Sequence, residues 1–212
     1  MNRLADSIAD LSGRPLGERA LRKRRRILDA TRVLLERRGL LELRVADIAR
    51  HLDMSPATFY QYFAGVEDVV LELAREANEE LPALLLMFQG SWRGREGRRR
   101  AREIVEFFMD HWDRHGAILR VRNLAADEGD GRFMELRGAA MLPVLCAMNT
   151  VMRRHRVQER HAAITPDAAA LAMSAILDRL AACHHLVEGG AVSHQALVET
   201  SAELLYRTLT GR

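Results

Sequence analysis

Cysteine, proline and aromatic residues are all scarce in this chain, and each shortage excludes something. Two cysteines, Cys146 and Cys183, are too few for a disulfide scaffold and lack C-x-x-C spacing. Five prolines leave room for long helices. With aromatics at 5%, no alternating run of β-branched and aromatic residues is long enough for a sheet. At 48% hydrophobic and 29% charged residues, collagen-like, disordered and mucin-like chains are excluded. The longest unbroken apolar run is Leu81 to Phe88, far short of the ~18 residues of a membrane span. The start, Met1 to Asp6, has no apolar core of a secretory signal. No membrane partner is expected, and the setting is expected to be cytoplasmic and reducing.

Lysine is scarcer still. Of 32 basic residues, only Lys23 is lysine; the others are arginine. The formal net charge is +3, unevenly spread. Residues 1–62 hold 13 basic and 8 acidic side chains, a net of +5, and residues 63–212 hold 19 and 21, a net of −2. A basic head on a near-neutral body implies a polyanion-binding segment joined to a domain with another task.

What the chain does have is Leu, Ala, Arg and Glu in quantity, which favours an all-α fold. Residues 1–18 show little periodicity and read as a flexible arm. From about Ala20 to Arg38, Leu21, Ile27, Leu28, Thr31, Leu34 and Leu35 share one face of a helix that Gly39 ends. Val45, Ile48, Ala49 and Leu52 make a two-turn helix, broken at Asp53-Met54. Ser55-Pro56 starts another, because Ser accepts a bond from the free N–H groups of a first turn and Pro tolerates the first helical position. That helix is expected to reach about Tyr62, with Ala64-Gly65 closing it. Val66 to Phe88 reads as one long helix. A loop is expected over Gly90 to Gly97, then helices near 98–115, 117–128, 132–156, 167–188 and 193–210, the last capped by Ser193.

Two short helices joined by a tight turn and braced by a longer one form a helix-turn-helix. Its second helix can enter the DNA major groove. Here that helix presents Ala57, Thr58, Tyr60, Gln61 and Tyr62, while Phe59 and Phe63 face the core. Residues 45–63, VADIARHLDMSPATFYQYF, resemble the DNA-binding signature of the TetR family of bacterial transcriptional regulators. Arg26 to Ala30, Gly39 and Glu67-Asp68 extend the likeness. The resemblance implies a homodimer that represses transcription at a palindromic double-stranded DNA operator and lets go when a small molecule binds the C-terminal domain. By matched position, Thr58, Tyr60, Gln61 and Tyr62 would contact DNA, with Ser55 and Ala57 at the helix entry and Arg44 beside a phosphate. Arg22, Lys23 and Arg26 would add phosphate contacts, since backbone phosphates supply most non-specific affinity. Two departures stand out. Val66 replaces the family's lysine before Glu67, removing a phosphate contact. Leu43-Arg44 replaces a threonine pair, losing a helix cap and gaining a cation.

The division implied is an arm over 1–18, a helix-turn-helix domain over 19–65 and a ligand-binding and dimerisation domain over 66–212. In the last, Glu135-Leu136, Met141 and Leu177 to Leu180 resemble the subgroup that includes the mycobacterial ethionamide-resistance repressor. That likeness implies a mainly apolar channel lined by Phe107, Met141, Val144, Leu145, Met148, Ser174 and Leu177, hence a small hydrophobic effector. Trp112, one helical turn after Phe107-Phe108, either borders that pocket or fills the core, and Asp178 pairs with neighbouring charges, faces solvent or orients a ligand. Methionine, unbranched and polarizable, suits such a pocket as well as it fills a core. Cys146 and Cys183 read as buried apolar residues.

His111 and His115 are four apart, a chelating spacing on a helix, but neither a cysteine nor a third histidine is close in sequence, so no metal or other cofactor is expected. The six arginines between Arg93 and Arg102 read most simply as a solvated loop and helix start. An enzyme is disfavoured: there is no G-x-S-x-G, no phosphate-cradling glycine loop after a strand, and no H-E-x-x-H. A helical sensor without DNA, an architectural DNA protein and a transcriptional activator of the same family are the remaining alternatives. An architectural protein would not need so large an apolar, non-basic body.

Overall fold

The computed structural model describes residues 16–38, 43–155, 157–160, 163–186 and 192–212. The described residues form helices and turns only. The helices are α1 (Glu18–Arg38), α2 (Val45–His51), α3 (Pro56–Phe59), α4 (Val66–Asn78), α5 (Leu81–Met87), α6 (Gly94–Asp127), α7 (Gly131–Arg154), α8 (Val157–Arg160), α9 (Pro166–Cys183) and α10 (His194–Thr210). A 3-10 turn, His184–Leu186, follows α9. The all-α class is as expected. Nearly all of the expected arm, and Gly39, lie outside the described residues.

Several boundaries differ from expectation, each for a local reason. The long helix expected from Val66 to Phe88 is two helices, α4 and α5, with Glu79-Glu80 turning between them. Pro82 is responsible: it sits in the first turn of α5, where its missing N–H costs nothing, but its ring would clash with a carbonyl one turn back in a continuous helix. Conversely, the break expected at Gly116 is absent, and α6 runs unbroken through it. One interior glycine costs only about 1 kcal/mol relative to alanine. Met109, Trp112, Ile118 and Leu119 are buried along the same helix and outweigh that cost. The α6 helix also begins within the stretch expected to be loop. The helix expected over 167–188 passes into the 3-10 turn at His184. The one-turn helix α8 had no counterpart in the expectation.

The chain divides into two compact units. One comprises the described residues up to Glu76 together with Ala117–Met134; the other comprises Ala77–Gly116 and Glu135–Arg212. The segment 66–212 therefore contributes to both units. In the first unit, Ile27, Leu28, Leu34 and Leu35 of α1, Ile48 and Ala49 of α2, Phe59, Phe63, and Val69, Val70 and Leu73 of α4 are buried. In the second, Leu84, Trp92, Ile104, Met109, Met148, Met152, Leu177, Leu205 and Tyr206 are buried. Gly97 is a close-approach position there. A Cβ on it would stand 2.5 Å from the Trp92 carbonyl and 2.7 Å from the Tyr206 ring. No described helix is long and apolar enough to cross a membrane.

Candidate nucleic-acid interface and effector site

Helix α2 opens at Arg44, whose backbone is extended and whose N–H donates to Asp47 Oδ2 at 3.1 Å. That bond is one half of a capping box. The arginine side chain, a donor only, cannot supply the other half, so the loss of the threonine is partly made good by Asp47. Leu43 is buried and Arg44 is exposed. The turn to α3 passes through Asp53 at φ 51°, a left-handed conformation that aspartate adopts more readily than most residues.

Ser55 caps α3 as expected: its Oγ accepts from the Thr58 N–H at 3.1 Å, and Pro56 follows in the first turn. The α-helical part is shorter than expected, ending at Phe59. Tyr60, Gln61 and Tyr62 continue as a turn, with Gln61 N–H to Thr58 C=O at 3.3 Å and Tyr62 N–H to Phe59 C=O at 2.9 Å. The i−3 bonding is the tighter 3-10 pattern common at helix ends. Phe59 and Phe63 are buried with rings 6.0 Å apart, which turns the other side chains outward. Ser55, Ala57, Tyr60 and Gln61 are exposed, and Thr58 and Tyr62 are half-buried. The Thr58 hydroxyl lies 3.0 Å from the Ser55 hydroxyl, so these two side chains are engaged in the cap. Val66, in the place of the family's lysine, is part of the core at 5% exposure.

The basic run on α1 separates by helix face. Arg24 makes a two-pronged hydrogen bond to Glu72 of α4 and lies 4.6 Å over the Phe63 ring. Arg25 bonds Asp29 at 2.9 Å and Glu76 at 2.7 Å. Both therefore brace the three-helix head against α4. Arg26 is exposed and Lys23 half-exposed, and neither has a hydrogen-bond or ion-pair partner among the described residues. Arg22 is exposed and carries only a surface pair with Glu18 at 3.3 Å.

In the second unit, Val144, Met148, Ser174 and Leu177 are buried, as is Trp112. Phe107, Met141, Leu145 and Asp178 are half-buried. One bond joins two of the expected effector residues: the Trp112 indole N–H donates to Asp178 Oδ1 at 3.0 Å. Cys146 departs from expectation and is exposed. It shares the outer stripe of α7 with Leu142 and Thr150, one helical turn either side, and both are exposed.

Two arrangements were not legible in the sequence. The first is a cavity of about 290 Å³ lined by Gly90, Ser91, Trp92, Arg93, Arg154, His155, Arg160 and Arg212. Burial, then the nearby Arg212, Arg160 and Arg93, hold the His155 pKa below its usual value. The second is the joining of His111 and His115 to Glu80. Burial alone would raise the Glu80 pKa, but hydrogen bonds from His115, Arg114 and His111 overcome it and hold the carboxyl down to about 2. Both arrangements pair residues tens of positions apart.

The bacterial regulatory protein, tetR family, profile matches residues 27–73. The tetracyclin repressor-like, C-terminal domain profile matches residues 85–212, more than half of the chain. The chain belongs to the TetR family. It is a DNA-binding regulator rather than an enzyme. No curated protein matches its sequence. Solved structures share its fold at low identity. A putative TetR-family transcriptional regulator from Syntrophomonas wolfei is 14% identical at a TM-score of 0.62, covering 91% of this chain and 96% of its own. A putative transcriptional regulator from Pseudomonas aeruginosa is 16% identical at 0.65, covering 90% and 91%. A putative transcriptional regulator from Saccharomonospora viridis, in complex with choline, is 21% identical at 0.57, covering 87% and 94%.

Proposed function

We propose that this TetR regulator is a ligand-responsive repressor that binds a palindromic operator as a homodimer and is released by a small, mainly hydrophobic molecule. The observation that carries the DNA side is the α3 turn. Its Tyr60 and Gln61 are exposed above a buried Phe59–Phe63 pair, and on α1 Arg26 is exposed and Lys23 half-exposed, neither with a partner among the described residues. A phenol, an amide and two cations suit base edges and phosphates. Leu171 and Ile176 on α9 and Leu204 on α10 support the dimer: they are 55%, 50% and 52% exposed, large apolar side chains left for a partner helix pair. The effector side follows the likeness to the ethionamide-resistance repressor subgroup, with a channel among Phe107, Met141, Val144, Leu145, Met148, Ser174 and Leu177. That a relative of the same fold holds choline supports a small-molecule ligand in this fold. The effector lowers DNA affinity by as much as it prefers the non-binding arrangement, typically 1–3 kcal/mol.

The test is binding to the DNA upstream of the protein's own gene. Salt-sensitive affinity well above that for random duplex is expected, and equal affinity for both would overturn the operator reading. Tyr60→Ala and Gln61→Ala should each weaken specific binding by about 1–3 kcal/mol while sedimentation still reports twice the chain mass. A monomer at micromolar concentration would remove the dimer.

A further inference from the structure

Helix α6 carries His111 and His115 one turn apart, 6% and 8% exposed. Glu80, from the turn that Pro82 forces between α4 and α5, meets them. His115 Nε2 lies 2.9 Å from Glu80 Oε1, and His111 Nδ1 lies 3.2 Å from Glu80 Oε2. The three donor atoms all fall within 4.8 Å of one another. We propose that Glu80, His111 and His115 form a binding site for a divalent transition-metal ion of the zinc class.

Spacing supports the site first. Ligands held 2.0–2.2 Å from a tetrahedral ion stand about 3.4 Å apart; His115 Nε2 and Glu80 Oε1 are 2.9 Å apart, and one donor atom from each of the three residues lies within 4.8 Å of the others. Donor chemistry supports it next. Two imidazoles and one carboxylate suit zinc and its neighbours and leave a fourth position for water, whereas calcium and magnesium take oxygen donors. Charge accounting points the same way. Arg114 reaches Glu80 Oε2 at 2.7 Å and supplies a permanent positive charge to the carboxylate whether or not the imidazoles are protonated. With Glu80 Oε1 as ligand, Arg114 remains on Oε2 as an outer hydrogen bond of the kind that orients metal-bound carboxylates.

Two features set the strength of the site. His115 Nδ1 is buried without a partner among the described residues. When Nε2 binds metal, the ring proton moves to Nδ1 and lacks the outer acceptor that metal-bound imidazoles usually have. The Arg114 charge also opposes the cation. The ion is therefore exchangeable rather than a fixed structural part. Any proton displaced from an imidazolium goes to solvent, so affinity rises with pH.

A second cluster, Asp113, His184 and His185, lies within reach of the same helix, with His184 Nε2 at 3.2 Å and His185 Nε2 at 2.9 Å from Asp113 Oδ1. Only His184 of the three is buried, and the cluster's two histidines come from a short 3-10 turn rather than from one long helix, so it is the weaker chelator.

The full-length protein, stripped with a chelator, is titrated with Zn²⁺ by calorimetry and with Co²⁺ by visible absorption. One ion per chain is expected, with a tetrahedral cobalt spectrum. Glu80→Gln, His111→Asn and His115→Asn should each weaken binding more than about tenfold, and Asp113→Asn should leave it unchanged. Glu80 is the most accessible of the three, so Glu80→Gln decides the case if either histidine variant loses helicity. No stoichiometric binding, or binding that survives Glu80→Gln but not Asp113→Asn, overturns the proposal.

Discussion

Two stretches of the chain look alike as text and behave differently in the fold: the basic run from Arg22 to Arg26 on α1, and the arginines from Arg93 to Arg102 at the start of α6. In the second, the charge is largely met inside the helix. Arg99 pairs with Glu96 and Glu103, Arg100 with Glu96, and Arg102 with Glu106, all three or four residues apart. Arg98 reaches Glu203 and lies 4.4 Å over the Tyr206 ring. In the first run Arg22 has a surface pair with Glu18, while Arg24 and Arg25 draw chiefly on Glu72 and Glu76, about fifty residues away. Lys23 and Arg26 are left for solvent or phosphate. The density of a basic run thus says little about polyanion binding. What matters is how many of its acids lie within a helical turn, and which face remains once distant acids are counted.

The largest effect is expected where the first run is structural. Arg24→Ala leaves Glu72, 21% exposed at its side chain, without its two-pronged partner and removes the cation from the Phe63 face. Deleting one partner of a buried pair costs about 3–5 kcal/mol. Partial exposure here argues for about 2–3 kcal/mol by chemical denaturation. If Arg24→Ala costs no more than Arg99→Ala, the distinction between bracing and ladder arginines fails. Arg99 is exposed in a helical pair, and its loss should leave stability nearly unchanged.

A smaller and different effect is expected at Arg26. Arg26→Ala should leave stability unchanged and weaken DNA binding about equally on specific and random sequences. The slope of log affinity on log salt should fall by about 0.9, one phosphate contact. Arg99→Ala should leave that slope alone. A slope change at Arg99 and none at Arg26 would reverse the assignment of the two runs.

The comparison also marks how far the sequence could be read. Signals confined to a helical turn were legible: the Ser55 and Ser193 caps, the inward Phe59 and Phe63, and the apolar stripe of α1. They depend on spacing alone. Glycine and proline were harder to weigh, because a break depends on competition between a local cost and burial contributed by distant residues. Gly116 lost that competition inside α6, and Pro82 prevailed between α4 and α5. Least legible were clusters assembled by the fold. The chelating pair His111 and His115 was visible, but Glu80, thirty-one residues earlier, was not. Glu80 is the third donor on which the proposed metal site depends. Arg93 likewise gave no hint of Arg154, Arg160 and Arg212.

Arg93 is a member of the second run that lies outside the ladder, and it allows the smallest test. It lines the cavity beside His155, whose pKa is lowered from 6.5 by burial and by Arg212, Arg160 and Arg93. In the unfolded chain His155 takes up a proton near its usual value; in the folded chain it resists until lower pH. The unfolded state therefore binds more protons over that interval, and stability falls as pH drops. The contribution is complete above about pH 6.5 and declines below it, ahead of the range where most carboxylates titrate. Denaturation midpoints at pH 7.5 and 5.5 should show a small loss in the wild type. The loss should shrink in His155→Gln, which cannot titrate, and in Arg93→Gln, which removes one repelling charge. An unchanged loss in both variants would mean that the arginines around His155 are screened by solvent, and Arg93 would then be no different from the rest of its run.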